Sequence, residues 1–319
     1  MKTIAVTGGT GFVGKFLIKA LSDKGYNIRI ITRRKPKTLL PDIEYAEVDY
    51  TNTDTLKYAF DKADAVIHLA AALFCTSKKD FLKANGVGTS HVVEAAKAAG
   101  VKKIVYLSSL AAGGPAEGKP RDEEQPDEPV SNYGISKLEG EKAVRTFPDG
   151  AFVILRPAII YGGRDAGVST ISDWVRRGLM INAGNGDAEF SFIHVSDVVR
   201  ALITALENNN LNGKAFYICE QKRYKWDDFI QMMADGMHVK KPFMLNLPNF
   251  VTYVAGGVYE LVSICTGVKP VLNRDKAREA GIKAWTADPS LWECCAGWSN
   301  WITLEEGIRK TFGGDKKIA

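Results

Sequence analysis

Short apolar runs alternate with stretches of helical spacing through the first half of the chain. "TIAVTG" ends in glycines, and "VGKFLIKALSDKG" after it repeats its apolar residues every three or four positions. "NIRIIT", "IEYAEVD", a helical "TDTLKYAFDKA" and "DAVIHLAA" follow. After Asn85 come the helical "GTSHVVEAAKAAG" and the strand-like "KKIVYLSS". A loop rich in Gly, Pro and acids covers 113–130, then a helix carries "SNYGISK", and "AFVILRPAIIYG" closes this half. Strands that alternate with helices predict βαβ units and a parallel sheet covered on both faces, an α/β doubly wound architecture. Beyond residue 162 the pattern loosens, although "FSFIHV" and "KAFYICE" still read as strands. This divides the chain into 1–162 and a smaller C-terminal α/β lobe, 163–319, with the strands near 190–220 free to rejoin the main sheet.

Composition narrows the partners. At 319 residues, 45% hydrophobic and 25% charged, the chain is an ordinary globular one. Its net charge of +5 is dispersed among acids, which gives no reason to expect nucleic acid. Five cysteines without a C-x-x-C pattern and four histidines without ligand spacing provide neither a disulfide framework nor a metal site. A reducing compartment is expected, and "MKTIAVTGGT" has no export signal, so the cytoplasm is the expected location. The most apolar helical stretch, 250–267, is slightly short of a membrane span and contains Glu260, so it reads as a buried or pocket-covering helix, with surface attachment to a membrane as the alternative.

The glycine turn after the first strand is the first sign of chemistry. "TGGTGFVG" places Gly8, Gly11 and Gly14 at three-residue intervals ahead of a helix. Glycines let the backbone turn sharply and approach a pyrophosphate, while the helix N-terminus offers unpaired N–H groups and the positive end of its dipole. The spacing differs slightly from the common G-x-G-x-x-G, but its position between strand and helix points to a dinucleotide coenzyme. The second strand ends in Thr32, Arg33 and Arg34, where an NAD site carries a carboxylate. Two guanidinium groups there suit a 2′-phosphate, so NADP is expected over NAD.

The second sign is Tyr133, four residues before Lys137 and so on the same helical face. Moving a hydride on or off a carbinol carbon also requires moving a proton on or off its oxygen. A phenol of pKa about 10 is a poor base at neutral pH, and a nearby ammonium lowers that value. A serine hydroxyl can hold the substrate oxygen. Ser108 and Ser109 close "IVYLSS", at the carboxyl end of a strand, where open α/β sheets bind their ligands. Tyr133 is then general acid or base, Lys137 its tuner and Ser109 the oxygen holder.

In this order "TGGTGFVG", "HLAA", Asn85 before "GTSHVVEAA", "YLSS", "YGISK", "LRPAIIYGG" and "FIHVSDV" resemble the blocks of the extended short-chain dehydrogenases/reductases, the NAD-dependent epimerase/dehydratase superfamily. The resemblance extends to the closing "GWSNWITLEEGIRKTF". It implies a Rossmann domain over 1–162 with a substrate lobe after it, and a homodimer through the Tyr133 helix and its neighbour. It also implies coenzyme contacts from Gly8, Thr10, Gly11, Phe12, Val13, Gly14, Arg33, Arg34, Asn85, Tyr133 and Lys137. Asp49 and Tyr50 would meet adenine, Leu69, Ala70 and Ala71 would line the diphosphate and ribose, Asn85 would position the active-site helices, and Pro157 would sit near the nicotinamide amide. Alignment of the serine pair with an apolar residue after it favours Ser109 over Ser108 as the catalytic one. His68 is expected as a packing residue, His194 as a fastener between lobes, and Asp197 as a cap or brace of the following helix.

Within the superfamily the sequence departs from the sugar-nucleotide branch. That branch resembles "RYFNxxG" and "RDFIHV", where this chain has "RPAIIYG" and "FSFIHV". Ile159 and Phe190 thus replace an asparagine and an arginine that meet the nucleotide diphosphate. The pattern is closest to dihydroflavonol-reductase-like and 3β-hydroxysteroid-dehydrogenase-like members. It implies an NADP-dependent oxidoreductase of a carbonyl or secondary alcohol on a hydrophobic small molecule. The alternatives are a sugar-nucleotide epimerase or dehydratase, and a non-catalytic cofactor-binding regulatory or assembly protein. Leu73, Phe74, Leu110, Ala111, Gly113, Val168, Ile171 and Trp174 are the expected pocket residues, and Trp285, Trp292, Trp298 and Trp301 are expected in the core.

Overall fold

The computed structural model describes residues 1–75, 77–163, 166–183, 187–266 and 274–312, and leaves the side chains of 166–169, 183, 258–266, 274 and 276 outside the description. Along the chain come β1 (Thr3–Thr7), α1 (Phe12–Asp23), β2 (Asn27–Thr32), β3 (Glu44–Glu47), α2 (Thr53–Ala59) and β4 (Ala65–His68). α3 (Lys78–Phe81) runs through a π-helical turn over Leu82–Val87 into α4 (Gly88–Ala98), followed by β5 (Lys103–Leu107) and the single turn α5 (Leu110–Gly113). α6 (Asn132–Val144), β6 (Phe152–Pro157) and β7 (Ile159–Tyr161) come next. The rest comprises α7 (Ala166–Arg176), β8 (Leu179–Ala183), β9 (Glu189–Phe190), β10 (Phe192–His194), α8 (Val195–Glu207), β11 (Lys214–Ile218), β12 (Tyr224–Lys225), α9 (Trp226–Gly236), β13 (Phe243–Leu247), α10 (Asn249–Thr266), α11 (Arg274–Ala280), β14 (Ala284–Trp285), α12 (Ser290–Ala296) and α13 (Leu304–Phe312).

The seven-stranded sheet has the order β11-β6-β5-β4-β1-β2-β3, and every pairing in it is parallel. This is the doubly wound Rossmann arrangement, whose strand order reverses between β1 and β4 and opens a crevice over the carboxyl end of β1. α1 and α8 cover one face with Leu17, Leu21, Val198 and Leu202. α2, α4 and α6 cover the other with Leu56, Val92, Ala96 and Val144. Strands buried on both faces explain why β4 and β5 read as continuous apolar runs rather than alternating ones.

Two apolar runs do not stay whole. "AFVILRPAIIYG" divides after Pro157: β6 stays in the main sheet, and β7 leaves it to pair in parallel with β10. "FSFIHV" divides at Ser191, whose amide donates to Trp285 O while its carbonyl accepts from Ile159 N. β11 joins β6 at the edge of the main sheet. β8 and β13 form a parallel two-stranded ribbon of their own. Trp292 is fully buried, Trp285 and Trp301 are buried, and Trp298 packs against the same core cluster as Trp292 and Trp301.

Candidate active site

The glycine turn is shaped for close approach. Gly8 has φ +71°, and a Cβ there would lie 2.7 Å from Ala70 N. A Cβ on Gly14 would lie 2.3 Å from Gly8 O. Gly11, at the N-cap of α1, has no side chain to satisfy the first N–H groups of that helix. Thr10 and Gly11 are exposed beside it, while Phe12 is half-buried and Val13 buried. A cradle that any side chain would fill, facing an uncapped helix N-terminus, fits a dinucleotide diphosphate.

The wall of the crevice is braced from below. Ala70 N donates to Thr7 Oγ1 at 3.2 Å, and Thr7 Oγ1 lies 2.6 Å from His68 Nδ1. Thr89 donates to Asn85 O, which leaves its oxygen to accept from His68 Nε2 at 3.0 Å. His68 is therefore a neutral spacer between two threonines, its pKa pushed down to about 3 by burial, with Lys137 adding to the shift. Asn85 is buried, accepts from Ala72 N at 2.7 Å, and donates to Ala72 O and to Ser136 Oγ on α6. These three bonds tie the Leu69–Ala72 wall to α6 through Asn85.

The far end of the crevice holds the adenosine-side residues. Asp49 is exposed, and Thr51 donates to its carboxylate from both N and Oγ1 at 2.8 Å, which holds it below the usual carboxylate range. Tyr50 donates to Ile31 O at 3.2 Å. Arg33 and Arg34 are exposed just past β2, and among the described residues neither is in a salt bridge. Thr32 donates to Arg34 O at 2.9 Å and turns this pair around the strand end.

At the other end, α5 and α6 bring the chemistry together. Ser131 caps α6 by accepting from Gly134 N at 3.0 Å, and a Cβ on Gly134 would meet Ala111 O, so α5 and α6 are in close apposition. The Ser109 hydroxyl lies close enough to the Tyr133 side chain to favour its ionised form. Ser108 instead donates to Glu141 at 2.5 Å. Ser109 also caps α5, accepting from Ala111 N. Lys137 is buried, donates to Leu107 O at 2.7 Å and lies 4.2 Å from the centre of the Tyr106 ring. Burial pushes its pKa down to about 7 against the opposing pull of Glu141. Pro157 is buried at the end of β6.

Tyr133 is not depressed by Lys137 in this state. Burial pushes the phenol well above its ordinary value, Glu279 adds to the rise, and Ser109 opposes it. The Lys137 ammonium is directed into the carbonyl at the end of β5. The phenol itself packs on an apolar cluster of Leu110, Ala111, Ala158 and Trp285, with Phe190 and Ile282 beside it. Only part of the expected pocket is here. Ile171 and Trp174 pack on the separate core of the C-terminal lobe, Leu73 and Phe74 are exposed, Gly113 is buried at the end of α5, and the Val168 side chain lies outside the described residues.

Two further features have no signature in the local pattern. Asp275 on α11 is buried and accepts from Asn132 N at 2.6 Å and Tyr133 N at 3.2 Å, capping α6 from the C-terminal lobe. Arg156 is buried and donates to both carboxylate oxygens of Glu141, at 2.9 and 2.6 Å, and to both of Asp127, at 2.7 and 2.8 Å. Glu141 continues the Tyr133–Lys137 spacing by one more turn, and that was its only trace in the sequence. His194 caps α8 through Ser196 N and packs edge-on against Tyr161. Asp197 accepts from Ile302 N at 2.7 Å and pairs with Arg200, fastening the C-terminal segment to α8.

Comparison with known proteins agrees with this architecture. The family model described as the NAD dependent epimerase/dehydratase family matches residues 4–219. An uncharacterised protein, y4nG of Sinorhizobium fredii, is 34% identical over 223 residues; the match covers 68% of this chain and 56% of that protein. A ceramide reductase of Caulobacter vibrioides is 29% identical over 313 residues, covering 97% of this chain and 90% of that one. The solved structure of MoeE5 in complex with UDP-glucuronic acid and NAD superposes with a TM-score of 0.80 at 23% identity, over 98% of each chain. The chain belongs to the NAD-dependent epimerase/dehydratase family of extended short-chain dehydrogenases/reductases.

Proposed function

We propose that the protein is an NADP-dependent oxidoreductase that acts on a carbonyl or secondary alcohol of a hydrophobic small molecule. The observation that carries this reading is the Ser109–Tyr133 hydroxyl pair set against the apolar cluster of Leu110, Ala158 and Trp285. The coenzyme, when bound along the glycine cradle, supplies or accepts the hydride. Ser109 holds the substrate oxygen by donating to it, and Tyr133 delivers the proton to that oxygen. A phenol whose pKa is raised stays protonated at neutral pH, which favours the acid role and the reductive direction. Lys137, poised near neutrality at the end of β5, is placed to bond a ribose hydroxyl and to charge when it does so.

Likeness to a ceramide reductase over nearly the whole chain supports a lipid-like substrate. Ile159 and Phe190 weigh against a sugar nucleotide, since Phe190 packs with Trp226 at 5.4 Å and offers nothing to a diphosphate. Cys219, Cys294 and Cys295 are free thiols, which supports a reducing location such as the cytoplasm. Pairing of two copies through α6 and its neighbour belongs to the same reading.

The coenzyme assignment has a direct test. Fluorescence titration is expected to give tighter binding of NADPH than of NADH, and Arg33→Ala to erase about tenfold or more of that difference, the scale of a hydrogen bond to a charged group. Equal affinities in the parent protein would overturn the NADP assignment. A screen of carbonyl compounds that follows NADPH absorbance identifies the substrate. A thermal shift with UDP-sugars, together with no NADPH oxidation in that screen, would favour the epimerase reading instead.

A further inference from the structure

The β8–β13 ribbon has one face against the lobe and one face exposed among the described residues. Met180 and Asn182 on β8 are buried. Met244 packs on the lobe core, and Asn182 donates to Asn246, so the inner face is settled. The alternate residues point the other way, and the register pairs them across the strands: Phe243 with Leu179, and Leu245 with Ile181. All four are exposed, Phe243 at 69%. Shortly after the ribbon, Phe250 and Val254 lie one turn apart on α10 and are 71% and 61% exposed.

The segments that lead into the two strands are basic. Arg176 and Arg177 precede β8, Lys240 and Lys241 precede β13, and all four are exposed. Because the strands are parallel, both cation pairs precede the same end of the ribbon. No Asp or Glu occurs between 174 and 186 or between 236 and 259. The neighbouring acids in sequence, Asp173 and Asp235, stand on α7 and α9, before the cation pairs.

We propose that this face is a membrane-attachment surface that seats on anionic lipid. Apolar side chains insert into the interfacial region, and a basic end meets lipid phosphates. The attachment is peripheral, since no helix among the described residues is long and apolar enough to cross a membrane. α11, which packs on α10 and touches β8, joins this surface to the cap of α6.

The test sediments the full chain with vesicles of phosphatidylcholine mixed with phosphatidylglycerol, and with vesicles of phosphatidylcholine alone. The protein is expected to follow the anionic vesicles, and Phe243→Ser with Leu245→Ser to lower the bound fraction by about tenfold or more. Lys240→Ala with Lys241→Ala is expected to weaken binding by about tenfold at low salt and by less at high salt, where the charges are already screened. All four positions face water, so melting temperatures should hold; were the serine pair to unfold the protein, the lysine pair decides between the outcomes by itself. A parent chain that ignores anionic vesicles overturns the proposal, and so does a folded serine pair that binds like the parent. Sedimentation velocity that shows self-association abolished by the serine pair, without vesicle binding, assigns the face to a second copy instead. No arm measures turnover, so failure of the hydride reading leaves this result intact.

Discussion

Tyr133→Phe is expected to lower kcat by about 10²- to 10⁴-fold, the usual contribution of a positioned acid–base group, equivalent to ~3–5 kcal/mol in the barrier. Affinity for NADPH should stay close to that of the parent, because the cradle at Gly8, Gly11 and Gly14 is built from β1 and α1 and needs nothing from the phenol. Removing one oxygen leaves the ring on its apolar cluster and leaves α6 capped by Ser131 and Asp275. Single-turnover absorbance of NADPH with the substrate from the carbonyl screen separates hydride transfer from binding. Ser109→Ala should act in the same direction with a smaller loss, since Tyr133 remains to donate. Turnover of Tyr133→Phe within about tenfold of the parent would remove the phenol from the chemistry.

Arg156→Met is expected to destabilise the protein by about 3–5 kcal/mol, the cost of leaving a buried charge without its partner. Arg156 serves two carboxylates at once, and Glu141 is wholly buried beside it. With the guanidinium gone, Glu141 retains Ser108 and the longer contact to Arg145 at 3.8 Å but loses its bidentate partner, and Asp127 loses its hold on β6. Urea unfolding of the coenzyme-free protein is the measurement, with the midpoint and slope fitted separately. Arg156→Met combined with Glu141→Leu should lose less than the sum of the single changes, because it removes both charges together. A single change that costs less than about 1 kcal/mol would show that the pair is not holding the acidic loop to the sheet.

Much of this arrangement was legible in the residues because its causes are local. Apolar runs bounded by glycines mark strands buried on both faces, and the Gly8–Gly14 spacing describes a backbone that only glycine permits. Tyr133 and Lys137 share a helix, so one period joins them. What escaped is what depends on distant parts of the chain. Asp275 reaches Tyr133 N across 142 residues, and no periodicity links the two. Pro157 ends one strand and Ile159 begins another in a different sheet, though the apolar run shows no seam. The direction of the phenol's shift also escaped, because it follows chiefly from burial, which spacing does not reveal. Ile171 and Trp174 read as pocket residues from their apolarity, yet apolarity alone does not say which of the clusters a side chain joins.

Because Asp275 borrows two amide protons from the start of α6, those protons form a built-in gauge of how firmly the lobe is seated. While α11 stays down, deuterium reaches the amides of Asn132 and Tyr133 slowly; each time it lifts, they exchange like the end of a frayed helix. Their exchange rates would therefore report the breathing of the lobe over the reaction centre without any label on the lobe itself.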